Sequence, residues 1–435
     1  MTSIAIGAGS CVVLLILLLI GVPVAIALGL ISVVGIIILR GVTPAYDIAA
    51  TLPYDFADHW SLAAVPMFLL MGSVVHNSGL TASLFAAARA WCSQLPGGLA
   101  IATNFASAGF AAASGSSMAT AAAMGRIAIP EMLRAGYDPR LATAVVAASG
   151  TLGSLIPPSI LIVIYGWMTE QPIGKLLIAG IVPGVLTAIV YALMISGRVI
   201  LQPEIAPSVP AKANWRERWL LLLDVWPLPV LIMGVIGSIY SGLATVTEAA
   251  ALGALLSMAI AGFKHKLTLR TVLNSAKDAV EGTAVIFLIA IGAILFTRFL
   301  AMAGLPAFLA IQVEQWAVEP WILLIGFVVT YIVLGAFLDP MGIMLITVPV
   351  FTPIFLILGF DLIWIGILVI KLLEIGLITP PVGLNAFVIK GVVGDEIGLE
   401  DIFKGLAWFV AAELLILLLL ILFPQIILFV PNSLM

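Results

Sequence analysis

Residues 150–158 read Gly-Thr-Leu-Gly-Ser-Leu-Ile-Pro-Pro, and residues 374–381 read Glu-Ile-Gly-Leu-Ile-Thr-Pro-Pro. Each stretch has an apolar run on both sides, where an unbroken membrane helix would otherwise be expected. Gly is entropically costly inside a helix, and Pro removes an N–H and clashes with the preceding turn. In a bilayer the freed peptide groups need partners, so such a break persists only against protein or a wet cavity. Two interrupted helices at matching places in two halves of a chain mark a transport site.

The surrounding composition supports that setting. Of 435 residues, 63% are hydrophobic and 9% charged, and mean hydropathy is +1.25. Soluble domains carry about 25% charged residues. The chain therefore reads as polytopic, with room for roughly ten to twelve spans of about 20 residues. A β-barrel is not expected, because apolar runs such as Val12 to Ile20 and Leu414 to Phe423 do not alternate. The first apolar segment lacks a basic leader and runs into a second, so it reads as a span. A net charge of −4 gives no footing for nucleic acid. Cys11 and Cys92 lie in or beside apolar segments, and neither a disulfide nor a metal pair is expected.

From the breaks outward, the chain repeats one order of parts. Spans at 4–20 and 22–39 precede a polar loop, roughly 40–60, with Asp47, Asp55, Asp58 and His59. An apolar segment, Leu62 to Val75, leads to an amphipathic arm at Leu80 to Trp91. Residues 97–129 are rich in Ala, Ser and Gly, with Ser114-Gly-Ser-Ser at the centre. They read as a re-entrant hairpin, the alternative being one span that packs closely through small residues. The broken helix at 141–169 and a span at 176–199 complete the first unit, residues 1–201. A linker, 202–218, holds Pro203, Pro207, Pro210, Lys212, Arg216 and Arg218. The second unit, 219–435, has spans at 219–238 and 243–262, a basic segment Lys264 to Lys277 and an apolar stretch from Ala284 to Met302. An arm from Gly304, a hairpin at 320–356, a broken helix at 362–390 and a span at 406–430 follow.

Basic residues orient the two units. Lys212, Arg216 and Arg218 precede the span pair at 219–262, and Lys264, Lys266, Arg270 and Lys277 follow it, so both loops are expected in the cytoplasm. Between Gly41 and Leu62 there is no Lys or Arg. Arg126, Arg134 and Arg140 follow the first hairpin, whereas Pro349 to Asp361 has none. That asymmetry predicts an all-α membrane protein built as two inverted structural repeats.

The chemistry on offer lies at the hairpin tips and breaks. Ser114, Ser116, Ser117, Thr151 and Ser154 supply hydroxyls, and Gly150 and Gly153 leave carbonyls uncovered. Gly335, Asp339, Gly376, Thr379 and Gly383 form the matching set. Oxygen ligands of this kind suit a hard cation such as Na⁺. Helix N-termini at Ser116-Ser117 and after Pro158 and Pro381 suit an anionic group. Asn385 either bonds a substrate or braces the break. Asp339 is either a cation ligand or a helix cap followed by Pro340 at the first helical position. Lys371 and Glu374, three apart, form a local ion pair. Glu248, after Thr245 and Thr247 near a span start, is structural, an acid placed where the helix dipole favours it, and Trp60, Trp91, Trp226 and Trp321 anchor span ends at the interface. No phosphate-binding loop, His-Glu-x-x-His or nucleophile motif is present. An enzyme is therefore not expected; a structural subunit and a stand-alone Na⁺- or H⁺-coupled anion carrier are the other readings.

Several motifs together resemble a known family. Ser114-Gly-Ser-Ser with Gly125, Ile129-Pro-Glu-Met132 and Gly136-Tyr137, then Gly153-Ser-Leu-Ile-Pro-Pro-Ser159, is similar to the large membrane subunit of tripartite ATP-independent periplasmic (TRAP) transporters, of the ion transporter superfamily. Thr245-Val-Thr-Glu-Ala249, Leu338-Asp-Pro340 and Thr379-Pro-Pro-Val-Gly-Leu-Asn385 extend the resemblance from about Pro23 to the last span. It implies Na⁺-driven uptake across a bacterial inner membrane of an organic acid, a C4-dicarboxylate or a sialic acid for example. A periplasmic binding protein would deliver the acid, and a small four-helix subunit, here a separate chain, would complete the complex. It further implies elevator motion of the hairpins and broken helices against a scaffold. One Na⁺ site would involve Ser114, Ser116, Gly150 and Pro157, the other Gly335, Asp339, Thr379 and Gly383. Ser117, Thr151, Ser154, Pro158, Pro381 and Asn385 remain for substrate. No other cofactor is expected.

Overall fold

Helix starts in this chain follow its scarce polar residues. Asp138 accepts the Arg140 N–H at 2.7 Å with Pro139 opening the helix, and Asp361 accepts the Ile363 N–H at 2.7 Å. Thr245 and Glu248 form a reciprocal capping box, a local role more specific than the dipole position the sequence suggests for Glu248. A computed structural model of the chain describes residues 3–208, 214–315 and 319–434, and all regular elements among them are helical. Pro210 and Lys212 of the expected linker lie outside the described residues.

In the first half, α1 (Ser3–Leu19), α2 (Val24–Arg40), α3 (Val42–Ala57), α4 (Ala64–Asn77) and α5 (Thr81–Cys92) follow in order. Then α6 (Gly98–Ser114) and α7 (Ser117–Arg134) pack on each other as a helical hairpin. The first interrupted helix comprises α8 (Pro139–Gly150), the single turn α9 (Leu152–Leu155) and α10 (Ile160–Met168), bent by 41° at the break. Next are α11 (Ile173–Ala179) and α12 (Ile181–Leu201).

The second half opens with α13 (Trp215–Asp224) and α14 (Pro227–Tyr240), bent by 44°, then α15 (Val246–Phe263) and the 35-residue α16 (Leu269–Ala303). After α17 (Leu305–Gln315), the helices α18 (Pro320–Gly335) and α19 (Pro340–Ile357) form the second hairpin. The second interrupted helix is α20 (Leu362–Ile378) with α21 (Leu384–Val393), followed by α22 (Leu399–Leu422) and α23 (Gln425–Leu434).

Three expectations change. Residues 42–57, expected as loop, are α3. Ala45, Leu52 and Phe56 share one buried stripe at helical spacing while Asp47 and Asp55 stay exposed, a pattern masked by two prolines and the polar content. The last span stops at Leu422, because Pro424 disfavours helix at Phe423. Six helical segments among the described residues are long and apolar enough to cross a membrane, or up to eight with each bent pair as one span. That is fewer than ten to twelve, since α1, α2 and α18 are shorter apolar helices of 10–17 residues.

Packing divides the helices into two groups. In one, α2 and α4 lie against α16, and α4 against α15. In the other, α8 is flanked by α6, α7 and α22, and α20 by α18, α19 and α22. The groups meet where α16 touches α19 and where α4 touches α6.

Candidate functional site

Each hairpin tip closes onto an interrupted helix. At the first, Gly115 ends α6 with φ +62, and a Cβ there would lie 2.6 Å from the Pro158 carbonyl oxygen. Only glycine allows both that backbone and that approach. At the second, the Val382 N–H donates to the Ala336 carbonyl at 3.1 Å. Gly335 and Gly376 approach so closely that a Cβ on Gly376 would lie 2.6 Å from Gly335 Cα. The peptide bonds Pro157–Pro158 and Pro380–Pro381, in the two breaks, are both cis.

Between the tips lies a cavity of about 530 Å³. Gly115, Ser116 and Ser117 of the first tip and Ser154 of the first break line it, with Asp339, Pro340 and Met341 of the second tip and Leu377 before the second break. From α16 come Asp278, Glu281 and Gly282. The N-termini of α7 and α19 thus converge on one space. Asp278 and Glu281 escape a motif search, though their spacing of three on a helix following a basic segment is the signal that marks them.

The expected site residues divide by surroundings. Ser117 and Ser154 share a hydrogen bond of 2.6 Å at the cavity wall. Ser116 caps α7, and its carbonyl takes the Thr120 N–H at 3.1 Å. Ser114 bonds the Thr120 hydroxyl at 2.8 Å. Asp339 caps α19 through the Gly342 N–H at 2.9 Å, so capping is settled for it, and it also faces the cavity. Gly150, Thr151, Pro157, Pro158, Thr379, Pro381, Gly383 and Asn385 are not among the cavity's lining residues, and Pro381 is exposed. The hydroxyls of Thr151 and Thr379 bond carbonyls of their own helices, Ala148 at 2.7 Å and Ile375 at 2.6 Å. Asn385 takes the bracing role, donating to the Ala147 carbonyl at 3.0 Å and so tying α21 to α8; its Oδ1 has no hydrogen-bond partner.

The expected Lys371–Glu374 pair is part of a larger buried cluster. Lys371 Nζ is 3.8 Å from Glu374 and 2.5 Å from Glu413 of α22, and it donates to Thr187 Oγ1 of α12 at 2.9 Å. Tyr191 of α12 donates its phenolic hydrogen to Glu413. Glu413 and Tyr191 lie on other helices, so helical periodicity around Lys371 cannot reveal them. Trp91, expected as an interfacial anchor, packs edge-on to Trp215 and Trp219.

The family described as "Tripartite ATP-independent periplasmic transporter, DctM component" matches residues 11–426. A C4-dicarboxylate TRAP transporter large permease protein of Pseudomonas aeruginosa is 38% identical over 383 residues, covering 87% of this chain and 88% of that one. A sialic acid TRAP transporter large permease protein of Vibrio cholerae is 31% identical, covering 96% of each. Among solved structures, the YdaH transporter of Alcanivorax borkumensis, described as having an unusual topology, superposes with a TM-score of 0.60. It covers 88% of this chain and 89% of that one at 16% identity, a likeness of fold.

Proposed function

The chain belongs to the tripartite ATP-independent periplasmic transporters as a DctM component, a large permease of the bacterial inner membrane and not an enzyme, and we propose that it carries a small organic acid into the cytoplasm in symport with Na⁺. The observation that carries this reading is one cavity bounded by both hairpin tips and by residues beside both helix breaks. Helix N-termini at that cavity favour a carboxylate through their dipoles and free N–H groups. The two relatives above are named for carboxylate-bearing cargo, which supports an organic acid here.

Two Na⁺ ions would sit where each tip meets its break. Ser114, Ser116, Gly150 and Pro157 would form one site; Gly335, Asp339, Thr379 and Gly383 would form the other. Hydroxyls there donate one hydrogen yet keep lone pairs for a cation. Ser117 and Ser154 are the substrate contacts nearest the cavity, with Thr151, Pro158, Pro381 and Asn385 holding their backbone. A periplasmic binding protein would deliver the acid, and a separate small membrane subunit would complete the complex. The two halves, 1–201 and 219–435, act as inverted repeats, and the hairpin group moves as an elevator against α2, α4, α15 and α16. Lys277 directly precedes Asp278 at the cavity edge, and Lys264, Lys266 and Arg270 lie earlier in the same basic segment, so by the positive-inside tendency this state would open to the cytoplasm.

Reconstitution with both partners tests the coupling. An inward Na⁺ gradient should drive accumulation of a dicarboxylate or a sialic acid, and accumulation indifferent to Na⁺ would reject it.

A further inference from the structure

Several cations at the ends of α5, α8, α21 and α22 have a carboxylate partner. Arg89 pairs with Glu131, Arg140 with Asp401 at 2.9 Å, Lys404 with Glu400 at 2.7 Å and Lys390 with Asp395 at 3.5 Å. Arg126 and Arg134 are exposed, where water serves them. Arg198, in the last turn of α12, has neither arrangement. Among the described residues no carboxylate lies within ion-pair distance of it. Asp138 acts on it from farther away, and that carboxylate is engaged by the Arg140 N–H at 2.7 Å. Two guanidinium nitrogens of Arg198, Nε and Nη1, are shielded from solvent and have no hydrogen-bond partner. Its Cζ stands 4.8 Å from the ring centroid of Trp408 on α22. Such a contact occupies the face of the guanidinium and leaves the N–H groups at its edge free. Shielded donors without an acceptor are costly, so this edge calls for an anion.

The setting narrows the choice of anion. α12 packs on α6 and α22 and then leads to Arg216 and Arg218, so by the positive-inside tendency its C-terminal end lies at the cytoplasmic face. The outer surface there is apolar: Leu193, Ile200 and Leu201 of α12 and Trp408 and Leu415 of α22 are all exposed. Acyl chains cover such a surface, which puts Arg198 at headgroup depth. We infer that Arg198 and Trp408 form a binding site for an anionic phospholipid of the inner leaflet. The lipid phosphate meets the guanidinium edge, and an acyl chain lies on the apolar surface between α12 and α22. A guanidinium fork suits phosphate because two N–H groups reach two oxygens at once. Lys404, one turn before Trp408 on the same exposed face, is already offset by Glu400, so Arg198 is the anchor. The site is separate from the cargo cavity, whose lining does not include Arg198 or Trp408, and it does not depend on the carrier reading.

Native mass spectrometry of the complex with its membrane partner, purified in detergent and titrated with phosphatidylglycerol, tests it. Wild type should keep one more phosphatidylglycerol than Arg198→Gln through collisional activation, with an apparent affinity about tenfold higher for the loss of one charge-assisted contact. Trp408→Leu changes an exposed side chain and leaves the guanidinium in place; it should weaken retention about threefold. Equal retention by wild type and both variants overturns the site. A wild-type complex that retains no lipid also overturns it, and assigns Arg198 to a carboxylate of the membrane partner. Inorganic phosphate added in place of the lipid should not bind at this position; displacement of the lipid by inorganic phosphate would make it a free-phosphate site and overturn the lipid assignment.

Discussion

Asp339 holds two positions with one carboxylate. It accepts the Gly342 N–H at 2.9 Å as the cap of α19, and it borders the cavity. Asn caps a helix about as well as Asp, whereas Ala costs about 1 kcal/mol. Asp339→Asn should therefore unfold within about 0.5 kcal/mol of wild type and Asp339→Ala about 1 kcal/mol earlier, as read by denaturant titration in detergent. If its charge also helps hold Na⁺, Asp339→Asn will raise the Na⁺ concentration for half-maximal uptake. An unchanged Na⁺ dependence would confine Asp339 to capping. The cap was legible because Asp-Pro is a local signal. Glu413 was not, because its partnership with Lys371 joins α22 to α20 and no local spacing encodes it.

At the scale of elements, the breaks depend on backbone contact between helices. Gly376 lies against Gly335, and a Cβ on it would meet Gly335 Cα at 2.6 Å. Gly391, inside α21, has nothing within 4 Å of the same construction. Gly376→Ala should thus destabilise by about 1–3 kcal/mol through overpacking and slow uptake. Gly391→Ala should be neutral or gain up to about 1 kcal/mol from helix propensity. Thermal unfolding of both variants checks the pair, and equal shifts would refute close packing at the break. Both breaks were readable from Gly and Pro set in apolar runs. The helix α3 was not, because its buried stripe of Ala45, Leu52 and Phe56 is sparse and interrupted by Pro53. The extent of α16 was also hidden, since a basic start and an apolar end read as two segments.

For the whole molecule, the arrangement of two helix groups around one cavity determines what can move. Order of parts repeats across the halves, and the groups meet along α16 with α19 and α4 with α6. That order was visible in the sequence as repeated hairpin and break motifs. The role of α16 in walling the cavity was not, because Asp278 and Glu281 gain meaning only when the second hairpin tip lies opposite. The central claim is that this cavity is presented to each side of the membrane in turn. Met118, exposed at the first hairpin tip and facing the cavity, reports on it directly. The measurement is labelling of Met118→Cys, with Cys11 and Cys92 replaced, by a membrane-impermeant thiol reagent applied to either side. The predicted result is labelling from the cytoplasmic side at rest and from the periplasmic side once Na⁺ and loaded binding protein shift the carrier. Labelling from one side at the same rate under every condition would contradict the account.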